Sequence, residues 1–90
     1  MRITFDPEKR DVTLRSRGLD FLDCVEVFAG PTASFEDVRF DYGETRVVTV
    51  GLLRGRMVIV VWTARGEARH VISMRKANDR EKQRYGSHLR

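Results

Sequence analysis

The feature that most constrains the fold is a six-residue apolar run, Met57 to Trp62, bounded on each side by an Arg-Gly pair. Because the run is apolar at every position, it predicts a strand that is buried on both faces of a sheet. The glycines of Arg54-Gly55 and Arg65-Gly66 tolerate positive φ, which favours tight antiparallel hairpins. The run is far shorter than the roughly 18 residues that span a membrane. It therefore predicts the central strand of a globular domain.

A strand and a helix are predicted at the N-terminus. The alternation from Arg2 to Phe5 favours a short strand. Asp6 then supplies an N-cap oxygen, and Pro7 suits the first helical position. This helix should run to about Ser16 and stop near Gly18, because a residue without Cβ adopts the left-handed conformation that ends many helices.

A second helix is predicted directly afterwards. Asp20 is its expected N-cap, and Gly30-Pro31 ends it. Four of its apolar residues are spaced i, i+3, i+4 and i+7, which places them on one face: Phe21, Cys24, Val25 and Phe28. We expect this face to pack on a sheet, which stabilises the fold by roughly 1.5–3 kcal/mol for each large side chain.

The rest of the chain predicts four strands and a last helix. The strands should cover residues 36–40, 45–53, 57–63 and 69–75. Asn78 and Glu81 form a capping-box pattern that opens a helix from Asp79 to Tyr85. The order β-α-α-β-β-β-β-α predicts a single α+β domain over residues 1–90. In it, the two N-terminal helices pack on one face of a mostly antiparallel sheet, a short C-terminal helix follows, and the other face is open.

Positive charge is concentrated at the C-terminal end. Residues 69–90 contain seven Lys or Arg and two acids, a sum of +5, whereas the whole chain carries +4, so the first 68 residues sum to −1. Charge concentrated in this way indicates a polyanion or an acidic protein as the partner.

Alternation along the predicted strand 69–75 should send its side chains to opposite faces of the sheet. The even positions should face the helices: His70, Ile72 and Met74. The odd positions should line the open face: Arg69, Val71, Ser73 and Arg75. His70 is accordingly expected to be partly buried, with a structural role.

Arg46, Arg75 and Lys76, together with Glu44, carry the most chemistry in the sequence. Guanidinium forks match phosphate and can stabilise the extra charge of a phosphodiester transition state. A nearby carboxylate or amine can take a proton from a ribose 2′-hydroxyl. The same residues could instead form ordinary surface ion pairs, which contribute little.

The remaining candidates have functional and structural interpretations. Lys9 and Arg17 lie at the two ends of the first helix and are either functional cations or solvated charges. Tyr85 could stack on a base, donate a proton or pack against the sheet. Cys24 lies on the apolar face of the second helix and is interpreted as an inert core thiol.

Several classes of protein are excluded by what the sequence lacks. A single cysteine, Cys24, excludes an internal disulfide and fits a reducing cytoplasm. The N-terminus has no apolar signal-peptide core. No spacing indicates a metal site, a glycine-rich phosphate loop or a Ser-His-Asp arrangement, so no metal or other cofactor is predicted.

Short motifs follow one another in a recognisable order along nearly the whole chain. They are Phe5-Asp6-Pro7 with Lys9, Phe21, Val27-Phe28, Tyr42-Gly43-Glu44 with Arg46, Gly51, the apolar strand 58–61, Ile72-Ser73, Arg75-Lys76-Ala77, Arg80-Glu81 and Tyr85. Their order and spacing resemble those of the BrnT-type toxins, the ribonuclease components of bacterial type II toxin–antitoxin pairs.

The resemblance implies a RelE-like fold and metal-independent RNA cleavage that inhibits translation and growth. It also implies neutralisation by a cognate antitoxin with a ribbon-helix-helix DNA-binding domain, through which alone the complex reaches operator DNA. A homodimer or a heterotetramer with the antitoxin is the assembly it suggests. The catalytic candidates are Lys9, Glu44, Arg46, Arg75 and Tyr85. The RNA-binding candidates are Arg17, Arg69, Ser73, Lys76 and Arg80.

One departure from the family pattern leaves two functions open. Family members typically read Asn-x-x-Lys-His-Gly at the end of the first helix, where this chain has Arg17 in place of the histidine. Arginine binds phosphate but does not release a proton at neutral pH. Either Lys9, Glu44 or Tyr85 moves the proton in an active nuclease, or the chain is a weak or inactive module that binds antitoxin or RNA. A basic face that docks an acidic antitoxin segment is compatible with both.

Overall fold

The computed structural model describes residues 1–39, 41 and 43–89. The strands of this part of the chain are β1 (Arg2–Phe5), β2 (Thr32–Asp37), β3 (Arg46–Leu53), β4 (Arg56–Arg65) and β5 (Ala68–Lys76). The helices are α1 (Pro7–Arg17), α2 (Cys24–Ala29) and α3 (Asp79–Tyr85). A 3-10 turn, Phe21–Asp23, leads into α2, and a second one, Gly86–Leu89, follows α3.

The strands form one five-stranded sheet in the order β1-β5-β4-β3-β2. β1 pairs with β5 in parallel, whereas the other neighbouring strands pair antiparallel, so the sheet is mixed. The central position of β4 confirms the prediction from the apolar run. Val58 and Val60 are fully buried on one face, and Ile59 is 3% exposed on the other. The predicted α+β class is confirmed.

The predicted start and end of α1 are confirmed. The backbone N–H of Glu8 donates to Oδ1 of Asp6 over 2.9 Å, and Pro7 occupies the first turn. Gly18 ends the helix with φ of 68°, a conformation that side chains with a Cβ rarely adopt. A bidentate ion pair between Arg10 and Asp20, with contacts of 2.8 and 3.0 Å, holds α1 against the segment that follows.

The predicted buried face of the second helix is partly wrong. Phe21, Cys24 and Val27 are fully buried, whereas Val25 is 44% exposed. The reason is that this segment begins as a 3-10 turn with three residues per turn, which aligns positions i, i+3 and i+6. Burial raises the pKa of the Cys24 thiol to about 12, which fits the interpretation as an inert core thiol.

Helices cover both faces of the sheet, so the prediction of one open face is wrong in part. On one face, here called the α2 face, Phe21 and Val27 pack with Val60 and Val71. On the opposite face, the α3 face, Leu89 and Tyr85 pack over Val50, Ile59 and Met57. Val48 and Leu52 belong to the same cluster. The C-terminal helix covers this face because Tyr85 at its end and Leu89 of the 3-10 turn after it pack their apolar surface there. On the α3 face, the C-terminal helix leaves β5 and the adjoining end of β4 uncovered.

The strand predicted at residues 36–40 is β2, which covers Thr32–Asp37 instead, and Phe40 lies outside the described residues. Its bounds follow from backbone pairing with β3, in which Thr32 lies opposite Gly51, and not from an apolar pattern. The other three predicted strands are confirmed with slightly different bounds. The second hairpin turns at Gly66-Glu67, one residue later than predicted.

A β-bulge in β5 changes the predicted faces of its side chains. Ser73 pairs with Val61, but Val71 pairs with Trp62, so Ile72 is an extra residue without a partner on β4. An extra residue inverts the alternation on one side of the bulge. Ser73 lies on the α3 face as predicted, but the predictions for Val71 and Arg69 are wrong, because both lie on the α2 face.

Candidate functional site

Two clefts flank the uncovered part of β5. One, of about 540 Å³, lies on the α3 face and is bordered by Val61, Ser73, Arg75 and Glu81; we call it the sheet cleft. The other, of about 380 Å³, lies between α1 and β5 and is bordered by Lys9, Arg17 and Ser73; we call it the α1 cleft. Ser73 borders both, so the two clefts meet at this side chain. The structure thus brings Lys9, Arg17, Ser73 and Arg75 together.

Arg75 is fixed within the sheet cleft by α3. Its guanidinium donates two hydrogen bonds of 2.8 Å to the two carboxylate oxygens of Glu81. Glu81 also accepts from the backbone N–H of Asn78 over 2.9 Å, while its own N–H donates to Oδ1 of Asn78, which completes the predicted capping box. The same carboxylate therefore starts α3 and orients Arg75.

The ion pair changes the ionisation of both partners. The Arg75 guanidinium lowers the pKa of Glu81 to about 2. The hydrogen bond to Glu81 raises the pKa of Arg75 above its ordinary value. Both groups are charged at neutral pH, so an anion that binds Arg75 there must share it with Glu81 or displace that carboxylate.

Arg17 is fixed in the α1 cleft by a backbone contact. Its Nη1 donates to the carbonyl oxygen of Met74 over 2.9 Å. β1 pairs with β5 only as far as Val71, so this carbonyl lies on the stretch of β5 edge beyond β1. Arg17 thus fastens α1 to this edge. Lys9 is exposed on the preceding turns of the same helix and borders the same cleft.

Arg46 and Glu44 lie at the entrance of β3. Nε of Arg46 is 3.9 Å from Oε1 of Glu44, and 27% of the Arg46 side chain is exposed. In the backbone register of β2 and β3, Arg46 lies opposite Asp37. The Asp37 carboxylate holds Arg39 in a bidentate ion pair, with contacts of 2.9 and 3.0 Å. Charges of both signs therefore line this end of the α3 face. Tyr42, the first residue of the shared motif at 42–44, lies outside the described residues.

Tyr85 lies apart from the α1 cleft. Its ring stacks on that of Phe35 with centroids 6.3 Å apart and planes 11° from parallel. The pair borders a groove of about 230 Å³ together with Arg80 and Arg84. Phe35 is 45% exposed, so the pair offers an aromatic surface beside cations. This arrangement suits base stacking better than proton transfer at the meeting point of the clefts.

Two of the predicted RNA-binding residues lie on the α2 face. The guanidinium carbon of Arg69 lies 4.5 Å from the ring centroids of both Phe28 and Trp62. Lys76 pairs with Val58, whose side chain belongs to the core beneath α2. Both cations are therefore separated from Ser73 by the thickness of the sheet.

Sequence reasoning missed two residues, Phe35 and His70. Phe35 carried a usable signal, since it is a large aromatic residue among polar neighbours. His70 was assigned to the wrong face, because the bulge at Ile72 has no signature in the sequence. Its Nδ1 lies 2.8 Å from Oγ1 of Thr4. Because Ile3 and Phe5 pack into the α2-face core, Thr4 points to the opposite face, and so does His70.

The fold and the clefts define a class of protein: a small α+β domain with two clefts at one end of its sheet, each lined by charges of both signs. The cations that border them, Lys9, Arg17 and Arg75, lie beside acids such as Asp6, Glu8 and Glu81. The chain belongs to the BrnT family. Residues 5–81 match the family model described as "Ribonuclease toxin, BrnT, of type II toxin-antitoxin system". It is therefore a ribonuclease toxin of a type II toxin–antitoxin system, with an antitoxin as its partner. No curated protein matches the chain. In the described part of the chain, no helix is long and apolar enough to cross a membrane.

Proposed function

We propose that the chain cleaves RNA without a metal ion, at the point where the two clefts meet. The observation that carries this proposal is the position of Ser73, which borders both the α1 cleft with Lys9 and Arg17 and the sheet cleft with Arg75. A phosphodiester lying over Ser73 is then within reach of cations from two sides. Fixed cations stabilise the charge of the transition state without reorganisation during the reaction.

The proposed roles of the remaining candidates follow from their positions. Arg46 and Arg75 stabilise the phosphorane, Lys9 and Glu44 exchange protons, and Tyr85 with Phe35 forms a platform for a neighbouring base. Arg80 and Arg17 contact the backbone of the strand. The products are a 2′,3′-cyclic phosphate and a 5′-hydroxyl, since the 2′-hydroxyl is the attacking group in a reaction that uses no water molecule as nucleophile.

We also propose that cleavage inhibits translation and growth in the cytoplasm, and that a cognate antitoxin with a ribbon-helix-helix domain neutralises it. The membership of a type II toxin family supports a protein antitoxin. The toxin forms either a homodimer or a heterotetramer with the antitoxin. The complex reaches operator DNA through the antitoxin. A RelE-like fold belongs to the same proposal.

Growth of a bacterial host tests the toxic activity. Induction of the wild type should arrest growth, and co-expression of the neighbouring reading frame should restore it. The Lys9→Ala and Arg46→Ala variants should relieve the arrest. Arg15→Ala is a matched control, because Arg15 is exposed on α1 and does not border the α1 cleft. Among the described residues, its one hydrogen bond is to the carbonyl of Asp11, over 3.4 Å. Equal arrest by the wild type, Lys9→Ala and Arg46→Ala would contradict the proposal.

The second candidate function is a module that binds antitoxin or RNA with little catalysis. It is favoured by the fixation of two cations, Arg17 on the Met74 carbonyl and Arg75 on Glu81. The Arg17→His variant discriminates between the two functions. A large gain of RNA cleavage over an inert wild type would support the binding module, whereas an active wild type excludes it.

A further inference from the structure

His70 lies on the same face of the sheet as Ser73, in the corner between β1, α1 and the entrance of β3. It is half-buried, and its Nδ1 shares a hydrogen bond of 2.8 Å with Oγ1 of Thr4. Within residues 1–39, 41 and 43–89, its Nε2 takes part in no hydrogen bond. When Nδ1–H donates to Thr4, Nε2 keeps its lone pair for another group.

Charged groups from every neighbouring element act on this ring. Arg65 lies at the end of β4, Glu44 precedes β3, and Lys9 and Asp6 belong to α1 and its cap. Burial lowers the pKa of His70 below 6.5; Arg65 and Lys9 lower it further, and Glu44 and Asp6 oppose them. The imidazole is therefore neutral at physiological pH and able to accept a proton.

His70 also lies across the sheet from Arg46. Thr63 is the partner of His70 on β4, and the antiparallel register of β3 and β4 places Arg46 on the other side of Thr63. Neighbouring strands are about 4.8 Å apart, so the Cα atoms of His70 and Arg46 are about 10 Å apart. Thr63 between them is 2% exposed, so only the outer parts of the two longer side chains can contact a phosphate.

The other candidates for proton acceptance are less well placed. Glu44 lies 3.9 Å from Nε of Arg46, and Arg17 and Arg75 are held by the Met74 carbonyl and by Glu81. Tyr85 is stacked on Phe35 beyond the sheet cleft. His70 combines a neutral base with a fixed orientation from Thr4.

We propose that His70 is a catalytic residue of the ribonuclease, the general base that deprotonates the ribose 2′-hydroxyl; the inference rests on the proposed function. Nε2 takes the proton of the 2′-hydroxyl while the 2′-oxygen forms a bond to phosphorus. The bond between phosphorus and the 5′-oxygen breaks, and that oxygen takes a proton from the ammonium group of Lys9, which then regains one from solvent. The imidazolium then returns its proton to solvent, so the cycle closes without net consumption of water. Thr4 is a positioning residue that fixes the orientation of the ring.

The test compares His70→Gln with His88→Gln. The chain has two histidines, and His88 lies in the 3-10 turn after α3, so it is a control with the same chemistry. In His70→Gln, kcat should fall by about 10²- to 10⁴-fold, as is usual for loss of a general base. The fall of the wild-type rate at pH below 6.5 should also disappear. Thr4→Val should lower kcat by less and leave KM unchanged. Thermal melting verifies that each variant is folded.

A second readout is independent of turnover. Imidazole NMR signals should be followed during titration with a 2′-O-methyl oligonucleotide, which offers phosphodiesters but no nucleophile. The His70 signals should shift and those of His88 should not. A wild type that cleaves RNA while His70→Gln keeps its rate and its pH profile would overturn the role of His70 and leave the proposed function intact. A wild type that leaves RNA intact would overturn the proposed function, and the role of His70 with it.

Discussion

The two oxygens of Glu81 hold the guanidinium of Arg75 with a pair of 2.8 Å hydrogen bonds, and one of them also accepts from the N–H of Asn78. One carboxylate thus fixes both the start of helix α3 and Arg75, a cation of the sheet cleft. The contact links the stability of the C-terminal helix to the geometry of the candidate site.

Removing this carboxylate should destabilise the fold. We expect Glu81→Ala to lower the free energy of unfolding by about 1–2 kcal/mol, because both the helix cap and the ion pair are lost. Glu81→Gln is the matched control, since glutamine keeps the capping box and loses only the ionic contact. Its loss should be under about 1 kcal/mol in a urea titration. Equal losses in the two variants would show that the cap contributes nothing.

The same ion pair should make stability depend on pH. The pKa of Glu81 is lowered from 4.5 to about 2, so its contribution is fully present above pH 4.5 and is lost as the pH falls toward about 2. The difference in melting temperature between wild type and Glu81→Gln should therefore shrink over this interval. A difference that stays constant down to pH 2 would contradict the assignment.

Arg69 should contribute to stability and not to RNA binding. Its guanidinium lies between Phe28 and Trp62 on the α2 face, so Arg69→Gln should cost about 0.5–2 kcal/mol of cation–π stabilisation. The affinity for single-stranded RNA and its dependence on salt should be unchanged. Arg46→Gln provides the contrast: it should reduce the slope of log affinity against log salt by about 0.7. Equal slopes in the two variants would contradict the placement of the RNA on the α3 face.

Gly51 should tolerate no side chain. A Cβ there would lie 2.6 Å from Cγ1 of Val27 and 3.3 Å from Cγ2 of Thr32. Gly51→Ala should therefore lower the free energy of unfolding by about 1–3 kcal/mol through overpacking. Gly86→Ala is the control, because its φ of −56° and ψ of −39° are helical and a Cβ there has no atom within 4 Å. It should be neutral or stabilising by up to about 1 kcal/mol. A neutral Gly51→Ala would show that α2 packs less closely on β3.

Much of the fold was predictable because local signals agreed with the final structure. The caps at Asp6, Asn78 and Gly18 and the apolar run of β4 each depend on interactions within a few residues. β2 was misplaced because its bounds depend on pairing with β3, which begins at Arg46 after an intervening loop, and not on a pattern within β2 itself. The buried face of the second helix differs from the predicted one because the segment begins with a 3-10 turn, which an i, i+3, i+4 pattern does not reveal.

The candidate site was less predictable for a topological reason. Motifs identified Lys9, Ser73 and Arg75, and the structure brings them together. A single extra residue at Ile72 exchanged the faces of Arg69 and His70, and no composition or periodicity indicates a bulge. The predicted roles of these residues stay proposals.

RNA cleavage by the purified protein tests the central claim most directly. An end-labelled single-stranded RNA is incubated in EDTA with the wild type, Lys9→Ala and Arg15→Ala, and the new ends are mapped. We predict fragments with 2′,3′-cyclic phosphates and 5′-hydroxyls from the wild type and Arg15→Ala, much slower cleavage by Lys9→Ala, and no cleavage of a 2′-O-methyl RNA. Intact RNA with the wild type, fragments with 5′-phosphates, or cleavage by Lys9→Ala at the wild-type rate would contradict the account.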